Sequence, residues 1–195
     1  MTEGGIGRLL LASLHQAITE VMPTRLEFYE TWLTSSAMRD GRVGRGALGA
    51  AVSFLRGEGT QYAATVSRAG ALAAEWTVAG WSPARRSLFR RTPEWLRARL
   101  LLRHVRDLMQ TSLAATEVTG RWRRGAGEVS LVRSVFCDVR DPMPGPMCGY
   151  YASVVESLMN RCGLDVEVSI SECRAYRGKA CTLAIATRTQ GVRAA

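Results

Sequence analysis

The residues best suited to chemistry in this sequence are its cysteines. Cys137, Cys148, Cys173 and Cys181 lie in the C-terminal half, with a fifth, Cys162, among them. Cys173 and Cys181 flank a turn signal at Arg177-Gly178, so a hairpin there would bring their side chains together at the end of a sheet. Cys148 opens a helical pattern and Cys137 closes a strand-like one. Thiolates gathered from a strand end, a helix start and a hairpin make a sufficient ligand set for tetrahedral zinc. The spacing is looser than paired Cys-x-x-Cys, and the competing use of a free cysteine, notably Cys162 or Cys181, is as a small core residue. An odd number of cysteines in a cytoplasmic chain argues against a disulfide framework.

Other motifs carry less. Gly44-Arg45-Gly46-Ala47-Leu48-Gly49 spells the dinucleotide fingerprint, but that loop works only between a strand and a helix of a βαβ unit, and helices are expected on both sides here. It reads as a turn between helices. His15 and His104 fall on separate helices with no cysteine, serine or carboxylate at dyad spacing, so no nucleophile is activated by sequence neighbours. Hydrolase and P-loop patterns are absent. A basic stretch, Arg85, Arg86, Arg90, Arg91, Arg97, Arg99, Arg103 and Arg106, carries Phe89 and Trp95 among its cations. It could grip an acidic partner or a ligand's carboxylates, or simply be a solvated helix face. The net charge is +9, yet Lys179 is the only lysine; coding bias explains such a skew as well as phosphate contact does, and nucleic acid is not the expected partner.

The elements that must position these groups follow from periodicity. With 195 residues and 47% hydrophobic content, the chain can bury the core of one domain, residues 1–195. It has neither an export signal nor an apolar run near the roughly 20 residues of a membrane span, which places it in the cytoplasm. Helices are expected over Ile6–Met22, from Thr24 through a Thr24/Glu27 capping box with Met38 on its stripe, over Ala47–Arg56, over Thr60–Val78, and from Thr92-Pro93-Glu94 for about six turns. Trp81–Arg91 reads as a polar connection. After this helical part, residues 1–115, the pattern turns to strands at Thr116–Arg123 and Glu128–Cys137, a helix at Met147–Cys162, and strands around Val166–Ser171 and Cys181–Ile185. Gln190–Ala195 reads as a frayed tail. The fold class is α+β, N-terminal helices packed on a four-stranded antiparallel sheet whose β-β-α-β-β half, residues 116–189, bears the motifs.

Met147-Cys148-Gly149-Tyr150-Tyr151-Ala152, Val166-Glu167-Val168 and Cys173-x-Ala175-x-x-Gly178-x-x-Cys181 together resemble the 4-vinyl-reductase domain family, in particular its bacteriochlorophyll members. The resemblance covers about Val132 to Ala186. It implies a fold shared with TRAPP subunits, an apolar cavity between helices and sheet, and dimerisation. It also implies zinc on the counterparts of Cys148, Cys173 and Cys181, with a glutamate three residues before the middle cysteine. That place is Ile170 here, leaving Cys137 or Glu172 as the fourth ligand.

The function expected is that of a non-catalytic domain, a sensor or carrier, binding an apolar or tetrapyrrole-like molecule through Tyr150, Tyr151 and Trp95, with zinc on Cys137, Cys148, Cys173 and Cys181. Two alternatives are a bacteriochlorophyll-synthesis protein that takes part in vinyl reduction with a partner, since no cofactor site is evident, and a TRAPP-like interaction module.

Overall fold

The computed structural model describes residues 7–34, 43–112, 117–139, 141–176 and 178–188. Ile6, Met38, Gly41, Thr116, Arg177 and the tail Gln190–Ala195 lie outside them. Among the described residues seven α-helices come first or between strands: α1 (Arg8–Val21), α2 (Leu26–Glu30), α3 (Arg45–Arg56), α4 (Thr60–Ala79), α5 (Pro83–Arg91), α6 (Glu94–Ser112) and α7 (Gly149–Arg161). The strands are β1 (Thr119–Arg123), β2 (Ala126–Leu131), β3 (Val166–Glu172) and β4 (Cys181–Thr187). They form one antiparallel sheet in the order β1-β2-β4-β3. The α+β class and the β-β-α-β-β half are as the sequence predicts. No described helix is long and apolar enough to cross a membrane.

Four local expectations change. Residues 83–91 form a helix rather than a connection: Pro83 occupies its first turn and the Ser82 hydroxyl accepts the Arg85 N–H at 3.3 Å, a start signal that outweighs the polar composition. The Thr24 capping box is not formed; a 3-10 turn at Pro23–Arg25 leads into α2 without a side-chain cap. The second strand ends at Leu131, and Cys137 instead closes a 3-10 turn, Val135–Cys137. Gly44 to Gly49 form no turn either, since α3 already begins at Arg45.

Alternation builds the sheet. Val129 pairs with Leu183 and Leu131 with Cys181, while Val168 pairs with Ile185 and Ile170 with Leu183, so one face carries the apolar side chains. The β1–β2 loop is only Arg124-Gly125, both with positive φ (49° and 79°), as a two-residue hairpin of right-handed twist requires. Trp122 lies over Gly127, where a Cβ would meet its ring at 2.5 Å. Against the apolar face sit the helices, and buried side chains from α1, α3, α4, α6, α7 and the sheet join in one continuous cluster. The small residues of α4 allow close helix packing: a Cβ on Gly70 would collide with the Tyr150 carbonyl oxygen and the Ser153 Cβ. That contact fixes the start of α7, where Cys148 sits.

Candidate metal centre

The Sγ atoms of Cys137, Cys148, Cys173 and Cys181 all lie within 4.8 Å of one another, and all four residues are buried. Each reaches that point by a different local device. Cys137 ends the 3-10 turn, where its N–H donates to the Ser134 hydroxyl at 3.2 Å. Arg56, on α3, holds the same turn by donating to the Val135 and Asp138 carbonyls at 3.0 and 3.2 Å. Cys148 is the N-cap of α7, so the start of that helix carries its sulfur to the cluster. The loop before it is tied to α4 by the Tyr62 hydroxyl, which donates to the Met147 carbonyl at 2.7 Å.

Cys173 and Cys181 belong to the β3–β4 hairpin. The Cys173 carbonyl accepts the N–H groups of Tyr176 and Gly178, at 3.0 and 2.9 Å. Glu172 turns its carboxylate onto the Lys179 N–H at 2.9 Å, so of the two candidates for a fourth ligand it is Cys137, not Glu172, that joins the other three. Gly178 is needed there, because a Cβ would strike the Glu172 side chain at 2.5 Å. A further device sets the phase. Val166, Val168 and Ile170 face the core, so strict alternation would turn Cys173 away from it. The register slips between Ile170 and Glu172, and this β-bulge absorbs the odd residue, Ser171, so that Cys173 comes to the side of Cys181.

The cluster is close to what a tetrahedral ion needs. Zinc bound to four sulfurs at about 2.3 Å spaces them about 3.8 Å apart, and the Cys137 and Cys173 sulfurs are 3.6 Å apart. The thiols also divide in proton affinity. Cys173 is driven well below the ordinary thiol range by hydrogen bonds from Cys137, Cys148 and Cys181, with help from the Met147 N–H, which donates to its sulfur at 3.3 Å. Cys181 is likewise lowered, by Cys137 and Cys148 first and also by the Arg174 N–H. Cys148 is pushed up, chiefly by its bonds to Cys137, Cys173 and Cys181 and then by burial. Four such groups cannot all ionise in an apolar site without a cation. A divalent ion resolves the conflict, and the residues present fit zinc.

The remaining sequence candidates lie elsewhere. Tyr150 and Tyr151 are fully buried; Phe136 stacks on Tyr150 at 4.9 Å and meets Tyr151 edge-on at 5.7 Å. The Tyr150 hydroxyl lies 3.1 Å from that of Ser13 on α1. These rings pack the core behind the thiols. Trp95, 59% exposed, sits on α6 under the Arg99 guanidinium and shares no ring contact with them. Cys162, at the end of α7, stands apart from the cluster. Sequence reasoning missed the parts played by Ser134, Arg56 and Tyr62, and only the Ser134-x-x-Cys137 spacing, a turn-capping pattern, could have signalled any of them.

No family model matches this sequence, and no curated protein matches it. Similar solved structures are H-NOX domains from Shewanella oneidensis. One, determined by NMR in the Fe(II)CO state, has a TM-score of 0.55 at 10% identity, covering 94% of this chain and 99% of the other. Another, a crystal structure in the Fe(II)NO state, has a TM-score of 0.54 at 10% identity, covering 94% and 100%. These neighbours overturn the resemblance to 4-vinyl reductases and TRAPP subunits, and with it the place in bacteriochlorophyll synthesis. The letters that carried it are those a buried thiol hairpin demands: two cysteines, a buried alanine and a glycine at a close approach. At this level of identity the likeness is one of fold, and the chain shares the fold of the H-NOX domains.

Proposed function

We propose that this protein is a non-catalytic ligand-binding domain of H-NOX fold in which Cys137, Cys148, Cys173 and Cys181 hold one zinc ion. The observation that carries the metal is the convergence of four buried sulfurs within 4.8 Å. Four protein sulfurs leave no open coordination position, the pattern of a structural rather than a catalytic zinc. Bound zinc would tie the 3-10 turn, the start of α7 and the β3–β4 hairpin together. The protein supplies the rest: N–H groups of Met147 and Arg174 steady the sulfurs, and burial excludes water and oxidants.

The ligand-binding part rests on the shared fold. The H-NOX neighbours are in Fe(II)CO and Fe(II)NO ligation states. In this chain His15 lies against Glu30 at 3.5 Å, and His104 stands edge-on to Trp81 beside Arg85. The thiol set is therefore the better metal holder here, and four sulfurs favour zinc.

Metal analysis of protein purified without added metal tests the reading. One zinc per chain is expected, released as the four thiols are titrated with a mercurial. Less than a tenth of an equivalent, with unchanged melting temperature after chelation, would sink it.

A further inference from the structure

A second chemical feature lies at the other end of α7. Between the end of α4, helix α5 and the end of α7 is a hollow of about 190 Å³, walled by Trp81, Phe89, Arg86, Arg90, Arg161 and Cys162. Its floor is aromatic: the Trp81 and Phe89 rings are stacked on each other at 5.0 Å with 22° between their planes, the Arg85 guanidinium lies over the Trp81 ring at 4.3 Å, and both aromatic residues are largely buried. Its rim is cationic. Arg161 is paired with Glu75 at 2.7 Å, but the side chains of Arg86 and Arg90 have neither an ion pair nor a hydrogen bond among the described residues.

The surroundings give Arg86 and Arg90 no relief. Helix α5 holds four arginines and no acidic residue, and Arg86 and Arg90 are one turn apart on it, where like charges repel. From α6, Arg97 reaches over to the Cys162 and Gly163 carbonyls at 3.3 and 3.1 Å. From α4, Glu75 is the acidic group, already engaged by Arg161. Cys162 adds no negative charge, since burial pushes its thiol up to about 11.

Two unpaired guanidiniums beside an aromatic wall match one ligand chemistry. We propose that this hollow binds a small organic anion with a planar apolar body, an arene carboxylate in class, its carboxylate between Arg86 and Arg90 and its ring against the Trp81 and Phe89 side chains that line the hollow. The proposal rests on the reading of the chain as a ligand-binding domain, but not on the metal, whose thiols it does not use.

Saturation-transfer NMR titrations with benzoate, and with neutral benzamide of the same shape, test it on the full chain. Benzoate is expected to bind about 10-fold more tightly than benzamide, and Arg86→Gln or Arg90→Gln to weaken it by about 10-fold each. Arg121→Gln, which breaks an ion pair on β1, is expected to leave it unchanged. Melting temperatures and zinc content, measured on the same samples, show whether each variant is folded and metal-bound. Loss of benzoate binding with zinc retained sets this site apart from the metal reading. Equal binding of benzamide, indifference to both arginine variants, no benzoate binding by the wild-type chain, or displacement of benzoate by a short DNA duplex would each overturn the proposal.

Discussion

The two ends of α7 hold side chains of opposite kinds. At its start four thiols from four chain segments converge in the core, with the turns that bear them held by a hydrogen bond to the Ser134 hydroxyl and by bonds from Arg56, Tyr62 and the backbone. At its end the arginines come mostly from one short stretch, Arg85 to Arg91, and Arg86 and Arg90 are left without partners among the described residues. Long-range convergence with every neighbour engaged is how a fold builds a structural element. Local accumulation of unpaired charge is how it leaves room for something to arrive.

The contrast can be broken most sharply at the thiols. Cys148→Ser is expected to lose bound zinc and to lower the melting temperature by roughly 10 °C or more, since a structural metal contributes several kcal/mol and each is about 2–4 °C in a chain of this size. Cys162→Ser should keep its zinc; equal metal loss in both variants would erase the distinction between cluster and bystander. Next comes the packing that seats α7. Gly70→Ala should cost about 1–3 kcal/mol in urea unfolding because the new methyl strikes the Tyr150 carbonyl. Gly46→Ala, on α3 where a Cβ meets nothing, should stabilise by up to about 1 kcal/mol.

At the arginine end the sign reverses. Arg86→Gln should stabilise the free protein slightly, by about 0.2–0.5 kcal/mol, through relief of repulsion from Arg90, and a loss of stability would mean that Arg86 has structural work after all. The smallest effect concerns His104. Its pKa is lowered, first by burial and then by Arg85, so the unfolded chain binds its proton more readily. Stability from this group is complete above about 6.5, the unfolded value, and is lost as pH falls from there through the folded value. His104→Gln should remove that part of the acid-side decline, read as unfolding midpoints between about pH 5 and 7.

Much of this was legible in the sequence. The alternation of Val166, Val168 and Ile170, the turn glycines and the four cysteine positions gave the class of fold and the members of the thiol set. Helix α5 was misread because its arginines disguise a plain Ser-Pro start. Cys137 was read as a strand end because Val132 to Cys137 looks β-like, and only the Ser134 cap breaks the run into a turn. The family resemblance failed for a related reason: short cysteine-glycine patterns record the geometry of a buried hairpin, and different chains can meet that geometry with the same letters. The cationic hollow was beyond sequence reach, since Arg161 and Cys162 lie some seventy positions from Arg86 and Arg90.

The slip in register ahead of Cys173 makes strand length itself part of the ligand chemistry. Removing Ser171 alone would take out the odd residue and leave the thiol two positions after Ile170, on the core side, whereas removing Ser171 and Glu172 together would change no sulfur and no helix yet swing that thiol toward solvent. A chain shortened by those two residues should therefore resemble a cysteine knockout in its metal content, although all five of its cysteines remain, while one shortened by Ser171 alone keeps its metal.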